Sequence, residues 1–429
     1  MDVLEGSFVL EGSDWMPKFR TSGAVIEADP ICAFLANGTA IIGSMPGDTD
    51  LNYRGFNVWR SVDGGKTWDP RPTRIDYPRF FDRAFMTVDT RISLPYGRLY
   101  VVGYGMTRPW DPLQRDDEMV AFASDDGGKT FQQVATIPTG CGKSAARICV
   151  THPGSSALLS DGTLLTAWFN LYGVLEEKEL APGRVLRNGV RTEEEGDGMS
   201  RVAVARLSQD ASGFGRVAWV GPAGRWKDEK DRSGTGKWVP AIATDITEGP
   251  YRDRVYVAFA DQRSGRVELY VSYSTDRGAT WSTPSAVSGG QLKNPDEPIY
   301  GPHAFTISLA VNNQGTVAVV YYTTNNSRHD PSYANDSLHA EPTIVASTDG
   351  GVTWTEPRRL IDPKSQAIWV TPSEERRIAA SPYDPRDGYF LPSCAHGFAS
   401  DDRGVFHALV YEYSAGRPRL FSVAATITN

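Results

Sequence analysis

An all-β fold of six four-stranded antiparallel blades, a β-propeller, is predicted by three features of this 429-residue sequence. A strand-and-turn unit recurs almost verbatim, a second unit of two apolar strands around a polar turn recurs ahead of it, and no long stretch has helical periodicity. Copies of the first unit are "NVWRSVDGGKTW" (Asn57 to Trp68), "FASDDGGKTF" (Phe122 to Phe131), "SYSTDRGATW" (Ser272 to Trp281) and "VASTDGGVTW" (Val345 to Trp354). Their aspartates, Asp63, Asp126, Asp276 and Asp349, are spaced by 63, 150 and 73 residues. The middle interval is about twice the others, so one copy has degenerated; "RLSQDASGFG" (Arg206 to Gly215) fits there, with Ser208 and Asp210 kept and the closing Trp lost.

The second unit supplies the first two strands of each blade. It begins at Asp29 ("DPICAFLANGTAIIG"), Asp82, Ala146, Trp238, Pro302 ("PHAFTISLAVNNQGTVAVVYY") and Leu391. Six such copies, each continued by two further strands, make six blades. Seven blades is the alternative, with a hidden blade between Gly140 and Trp238. The last copy has about three strands, and the N-terminal "GSFVLEG", residues 6–12, is placed to supply the fourth and leave no open sheet edge. The whole of 1–429 then reads as a single domain. The charged stretch 172–198 is an insertion in blade three, expected as a solvated loop or short helix and able to cover a ligand pocket.

Bulk properties narrow the partners. A formal charge of −8 and a pI near 5.4 argue against nucleic acid or an anionic membrane surface. No apolar run approaches the roughly 20 residues that span a bilayer. The four cysteines, Cys32, Cys141, Cys149 and Cys394, form no C-x-x-C pair, so no metal and no cofactor is expected. Cys32 with Cys394 is the best disulfide candidate. "GCGKS" (Gly140 to Ser144) lacks the spacing of a phosphate loop. "MDVLEGSFVLEGSDW" has neither the basic start nor the apolar run of a leader; the expected location is secreted or periplasmic, with a leader outside this numbering. A monomer is expected.

The repeated turn resembles the Asp-box, or BNR repeat, of the sialidase-like propeller superfamily, and the repeats cover nearly the whole chain. In so tight a turn a short carboxylate accepts backbone N–H bonds and Gly adopts positive φ, with the terminal Trp or Phe packing between sheets. Too few oxygen ligands lie in sequence for a calcium loop. The motif therefore reads as architecture, and the resemblance places it at the outer rim, away from the ligand face.

Chemistry is sought where the innermost strands begin. Aligning the six copies sets Asp29, Asp82 with Arg83, Arg147, Trp238, His303 and Pro392 in one register. A structural axis would repeat small or apolar residues; this set mixes acid, base, histidine and tryptophan. Asp29, Arg83, Arg147 and Trp238 are substrate-binding candidates. The arginines suit an anionic group because a guanidinium grips a carboxylate through two parallel bonds, and Trp238 suits stacking on a sugar ring. Asp82 and His303 are proton-transfer candidates. Each also has a plain alternative as a hydrogen-bonded strand-end group.

The sialidase resemblance adds residues and subtracts others. It implies an acid/base aspartate on the loop after the second strand of blade one, where this chain has Asp48 and Asp50. "ALVYE" is similar to a blade-six strand ending in Tyr411 and Glu412. The Phe/Tyr-Arg-Ile-Pro motif is "EADPIC" here, and the position of the tyrosine nucleophile is Pro392, with Tyr389 three residues earlier. Three functions stay open: a glycoside hydrolase acting next to an acidic sugar, a uronate polysaccharide lyase using His303 with Arg83 and Arg147, and a non-catalytic glycan-binding propeller. The partner in each is a glycan.

Overall fold

The computed structural model describes residues 2–4, 26–47, 54–91, 96–107, 117–139, 148–181, 184–191, 201–207, 215, 217–222, 239–261, 268–288, 304–324, 340–361, 397–414 and 417–427. Strand β1 is Asp2–Leu4. Blade one is β2 (Ile26–Phe34), β3 (Ala40–Gly47), β4 (Phe56–Ser61) and β5 (Thr73–Ile75); blade two is β6 (Phe80–Asp89), β7 (Arg98–Met106), β8 (Asp117–Ser124) and β9 (Gln132–Pro138). Blade three is β10 (Ile148–Leu158), β11 (Leu164–Ala181), β12 (Arg184–Arg191), β13 (Arg201–Leu207) and β14 (Ala218–Pro222). Blade four is β15 (Ala241–Thr244), β16 (Val255–Asp261), β17 (Glu268–Ser274) and β18 (Ser285–Ala286). Blade five is β19 (Ala304–Val311), β20 (Val317–Thr324), β21 (Ala340–Ser347) and β22 (Arg358–Arg359), and blade six has β23 (Phe398–Ser400), β24 (Phe406–Ser414) and β25 (Arg417–Thr426).

Six antiparallel sheets result, four-stranded except in blade three, where β12 pairs with β11 alongside the four-strand path, and the fold is a six-bladed β-propeller. The seven-blade alternative has no sheet to support it among the described residues. Two compact units divide the chain, one of Gly12–Arg191 with Ala203–Ala218, the other of Met1–Glu11, Thr192–Val202 and Trp219–Asn429.

In the first unit, Ile41, Phe56 and Val58 of blade one interleave with Phe81, Leu99, Val101 and Phe122 of blade two. Tyr100, Val102 and Met119, on the other face of blade two, pack with Leu164, Trp168 and Ala203 of blade three. A strand pressed between neighbours on both faces loses the polar/apolar alternation of a half-buried strand. That explains runs such as "RLYVVGYGM" in β7, of which all but the first residue are buried. In the second unit Tyr256 and Val271 pack with Leu309 and Tyr321, and Val320 and Ile344 with Phe406 and Val410.

Two organisational expectations change in detail. The strand added to the sixth sheet is β1, whose Asp2, Val3 and Leu4 pair with Thr426, Ala425 and Ala424 of β25; residues 6–12 lie outside the described residues. The insertion 172–198 is no helix over its described part. β11 runs on past Gly173, where its pairing with β10 ends, and pairs with β12 from Val174↔Arg191 to Ala181↔Arg184 as a long hairpin. Between the two strands the sequence reads Pro182-Gly183, a turn signal that the charged composition obscured.

The repeated turns close as expected. In each copy the serine hydroxyl donates to aspartate Oδ1 at 2.7–2.9 Å and accepts the N–H of the second glycine position, Gly65, Gly128, Gly278 or Gly351. The same Oδ1 accepts the threonine N–H at 2.8–2.9 Å, and Oδ2 accepts the threonine hydroxyl at 2.5–2.6 Å. Two of the closing aromatics, Phe131 and Trp354, pack against the clusters between neighbouring blades, as foreseen. Trp68 and Trp354 are half-buried and fold back on their own turns, donating from Nε1 to Gly65 O at 3.1 Å and Gly351 O at 3.2 Å. Cys32 is an exposed free thiol, and Cys394 lies outside the described residues.

Candidate functional site

Strand direction separates two ends in every blade. The Ser-x-Asp turns join the third strand to the fourth, at the end where the first strand also turns into the second. At the opposite end the first strand begins and the second finishes, and there the candidate chemistry lies.

Near its start the first strand is bulged. Pairing slips between Ala28 and Ile31 in β2, between Asp82 and Phe85 in β6, and between Phe305 and Ser308 in β19. One residue at each slip is left-handed without being glycine: Asp29 at φ 47°, Arg83 at φ 48° and Thr306 at φ 52°. Such a backbone costs roughly 1–3 kcal/mol and persists where its surroundings impose it. A bulge also re-aims the side chain it carries. The register read from sequence is corrected here: Asp29 is equivalent to Arg83 and Thr306, not to Asp82, which precedes the bulge. In β10 the slip falls at Gly154-Ser155, between Pro153 and Ser156, well beyond Arg147.

Asp29 is exposed, and Asp82 and Arg83 are half-buried. The Arg83 backbone N–H donates to Sδ of buried Met45 at 3.1 Å, which ties the blade-two bulge to β3 of blade one. Within the first unit the structure thus brings an acid, Asp82, and a base, Arg83, to adjacent positions on one bulged strand. Tyr411 and Glu412 lie in β24 opposite Leu420 and Arg419. Asp48, Asp50, Arg147, Trp238, His303 and Tyr389 lie outside the described residues.

Sequence reasoning missed a repeated glutamate. Glu118, Glu268 and Glu341 each stand six residues before a turn serine, Ser124, Ser274 and Ser347. Each therefore opens a third strand at the end opposite the turns. The shared spacing, visible in "EMVAFAS", "ELYVSYS" and "EPTIVAS", was the available signal. In blade two, Glu118 Oε1 accepts the Tyr77 hydroxyl in a short hydrogen bond and Arg79 Nη1 at 2.9 Å. In blade five, Glu341 Oε2 accepts Arg359 Nε at 2.8 Å. In blade four, Glu268 accepts the Tyr270 hydroxyl at 3.2 Å and sits directly across the strands from Asp261, with both acids buried. The residues across from Glu118 and Glu341 are Gly105 and Thr323, so blade four alone of these three pairs two carboxylates.

Tyr77 and Glu118 form a tyrosine–carboxylate pair, but one built for support. Tyr77 is only 5% exposed and its ring lies 5.7 Å from Phe81 and 6.1 Å from Phe122. Burial, and then the bond and charge of Glu118, push its phenol far above the usual range, which disfavours the phenolate a nucleophile requires.

No protein-family model matches the chain, and no curated protein sequence does either. Among solved structures it is similar to an α-L-arabinofuranosidase from Fusarium graminearum, with TM-score 0.51 and 11% identity over 93% of this chain and 92% of that one. A Hadza microbial sialidase gives TM-score 0.48 and 16% identity over 93% and 66%. An α-L-arabinanase of Penicillium chrysogenum gives 0.47 and 15% over 99% and 98%. At such identity the first likeness speaks for the fold, the six-bladed β-propeller that the repeats foretold. Among the described residues no group of three or more His, Cys, Asp or Glu could hold a metal ion, and no helix is long and apolar enough to cross a membrane.

Proposed function

We propose that the chain is a sialidase-like glycoside hydrolase that cleaves a glycosidic bond next to an acidic sugar, acting as a secreted monomer. The observation that carries this reading is the bulge of β6, which sets Arg83 in a left-handed conformation beside Asp82. Arg83 is proposed to grip the sugar carboxylate, and Asp82 to move a proton at the glycosidic oxygen or at the attacking water. Such transfers contribute roughly 10²–10⁴-fold each. Asp48 and Asp50, in the segment after β3, are proposed as the partner acid. A carboxyl separation of about 5–5.5 Å would give retention and about 6.5–9.5 Å inversion. The fold likeness to an arabinofuranosidase supports the hydrolase class.

The test is a screen against sialosides, uronate polysaccharides and arabinan, followed both by new reducing ends and by the absorbance of unsaturated uronate. Reducing ends without that absorbance, lost in Asp82→Asn, are the expected result. An unsaturated product would overturn hydrolysis for elimination and make His303 the first residue to mutate. Binding without turnover would leave a glycan-binding propeller.

A further inference from the structure

The segment that leads into β6 is held from below by side chains that make no claim to touch a substrate. Tyr77 follows β5, and its hydroxyl meets Glu118 Oε1 at the start of β8; Arg79 donates to that same oxygen at 2.9 Å. Glu118 lies across the strands from Gly105. A Cβ at Gly105 would fall 2.4 Å from the Tyr77 hydroxyl oxygen and 2.5 Å from its ring, so the phenol lies against the face of the sheet in room that only glycine leaves. Phe81, with no exposed surface, anchors the next step of the strand against Phe56 and Phe122. The Arg83 N–H then meets Met45 Sδ. The seven residues from Tyr77 to Arg83 are thus fixed at three points, and the last of them is the strained bulge.

We propose that Tyr77, Arg79 and Glu118 form a strut of positioning residues that sets where β6 begins, and through it how Arg83 and Asp82 are presented to an anionic sugar. This rests on the anion-binding role proposed for Arg83. A left-handed arginine is favoured only while its neighbours impose that geometry; loosening the strand start lets the bulge migrate or relax, and the guanidinium loses its orientation. Because two parallel bonds to a carboxylate depend on angle as well as distance, the cost falls on carboxylate recognition and spares contacts with the neutral part of the sugar.

The experiment compares binding of a uronate trisaccharide and its carboxyl-reduced counterpart, by calorimetry, to the wild-type chain and to Tyr77→Phe, Arg79→Leu and Glu118→Gln. Tyr77→Phe and Arg79→Leu are expected to weaken the uronate ligand about tenfold and leave the reduced ligand within about twofold. Glu118→Gln, which keeps an acceptor oxygen for both donors, should retain most of the affinity. Equal losses for both ligands, or no loss, would overturn the strut. A wild-type chain with no preference for the uronate would instead overturn the role of Arg83 itself. Should Tyr77→Phe fail to fold, Arg79→Leu carries the comparison, since that side chain is already 41% exposed.

Discussion

In the turns of blades one, two, four and five, backbone and side chains repeat together, with the same serine, aspartate and threonine making the same bonds each time. In the bulges of blades one, two and five the backbone repeats and the side chains do not, for one conformation carries Asp29, Arg83 and Thr306 in turn. Repetition of both marks a joint that these four blades share. Repetition of the backbone alone marks a shared mount on which individual blades have placed different chemistry.

The largest effect should come from breaking the mount's chemistry. Arg83→Ala is expected to weaken a uronate ligand about 100-fold, the loss of two charge-assisted bonds, as measured by calorimetry. If uronate affinity is unchanged, the bulge is no more functional than the turns. Next comes the joint. Gly350, at φ 75°, faces Arg254 Nη1 at 2.4 Å and the Tyr251 ring at 2.6 Å from where a Cβ would stand. Gly350→Ala should therefore cost about 2 kcal/mol in urea unfolding while leaving glycan affinity unaltered.

Acid should act on the turns only well below neutral pH. Hydrogen bonds from the Thr67 and Thr280 side chains, with further bonds from the same turns, lower Asp63 and Asp276 from 3.8 to about 2. A depressed folded-state value means the stabilisation is complete above pH 3.8 and drains away as pH falls toward 2. The melting temperature of the wild-type chain should drop across that interval, and the drop should be shallower in Asp63→Asn/Asp276→Asn. The smallest change is Asp29→Gly. Glycine takes φ 47° without steric cost, so stability should rise by less than about 1 kcal/mol, seen as a slightly higher urea midpoint. A fall would mean that Asp29 is held there by bonds worth more than its strain.

The turns were legible because each network closes within eight residues of its own sequence, from serine to the closing aromatic. The bulges were not, because a one-residue offset is decided by pairing with the neighbouring strand, which is why Asp29 was matched to Asp82 rather than Arg83. Glu118 escaped for a related reason. Its role depends on Tyr77, forty-one residues earlier in sequence, and no local pattern announces that meeting. The hairpin of β11 and β12 was hidden by its charge. Six glutamate, lysine and arginine residues between Glu176 and Arg187 suggest solvent, yet the backbone there pairs as two antiparallel strands.

The junction of β1 with β25 has a mechanical meaning. Among the described residues, three of β1 meet a strand of ten, Arg417–Thr426. Tension applied to β1 bears on its seam with β25, whereas tension applied to β25 is also resisted by the nine pairs that join it to β24.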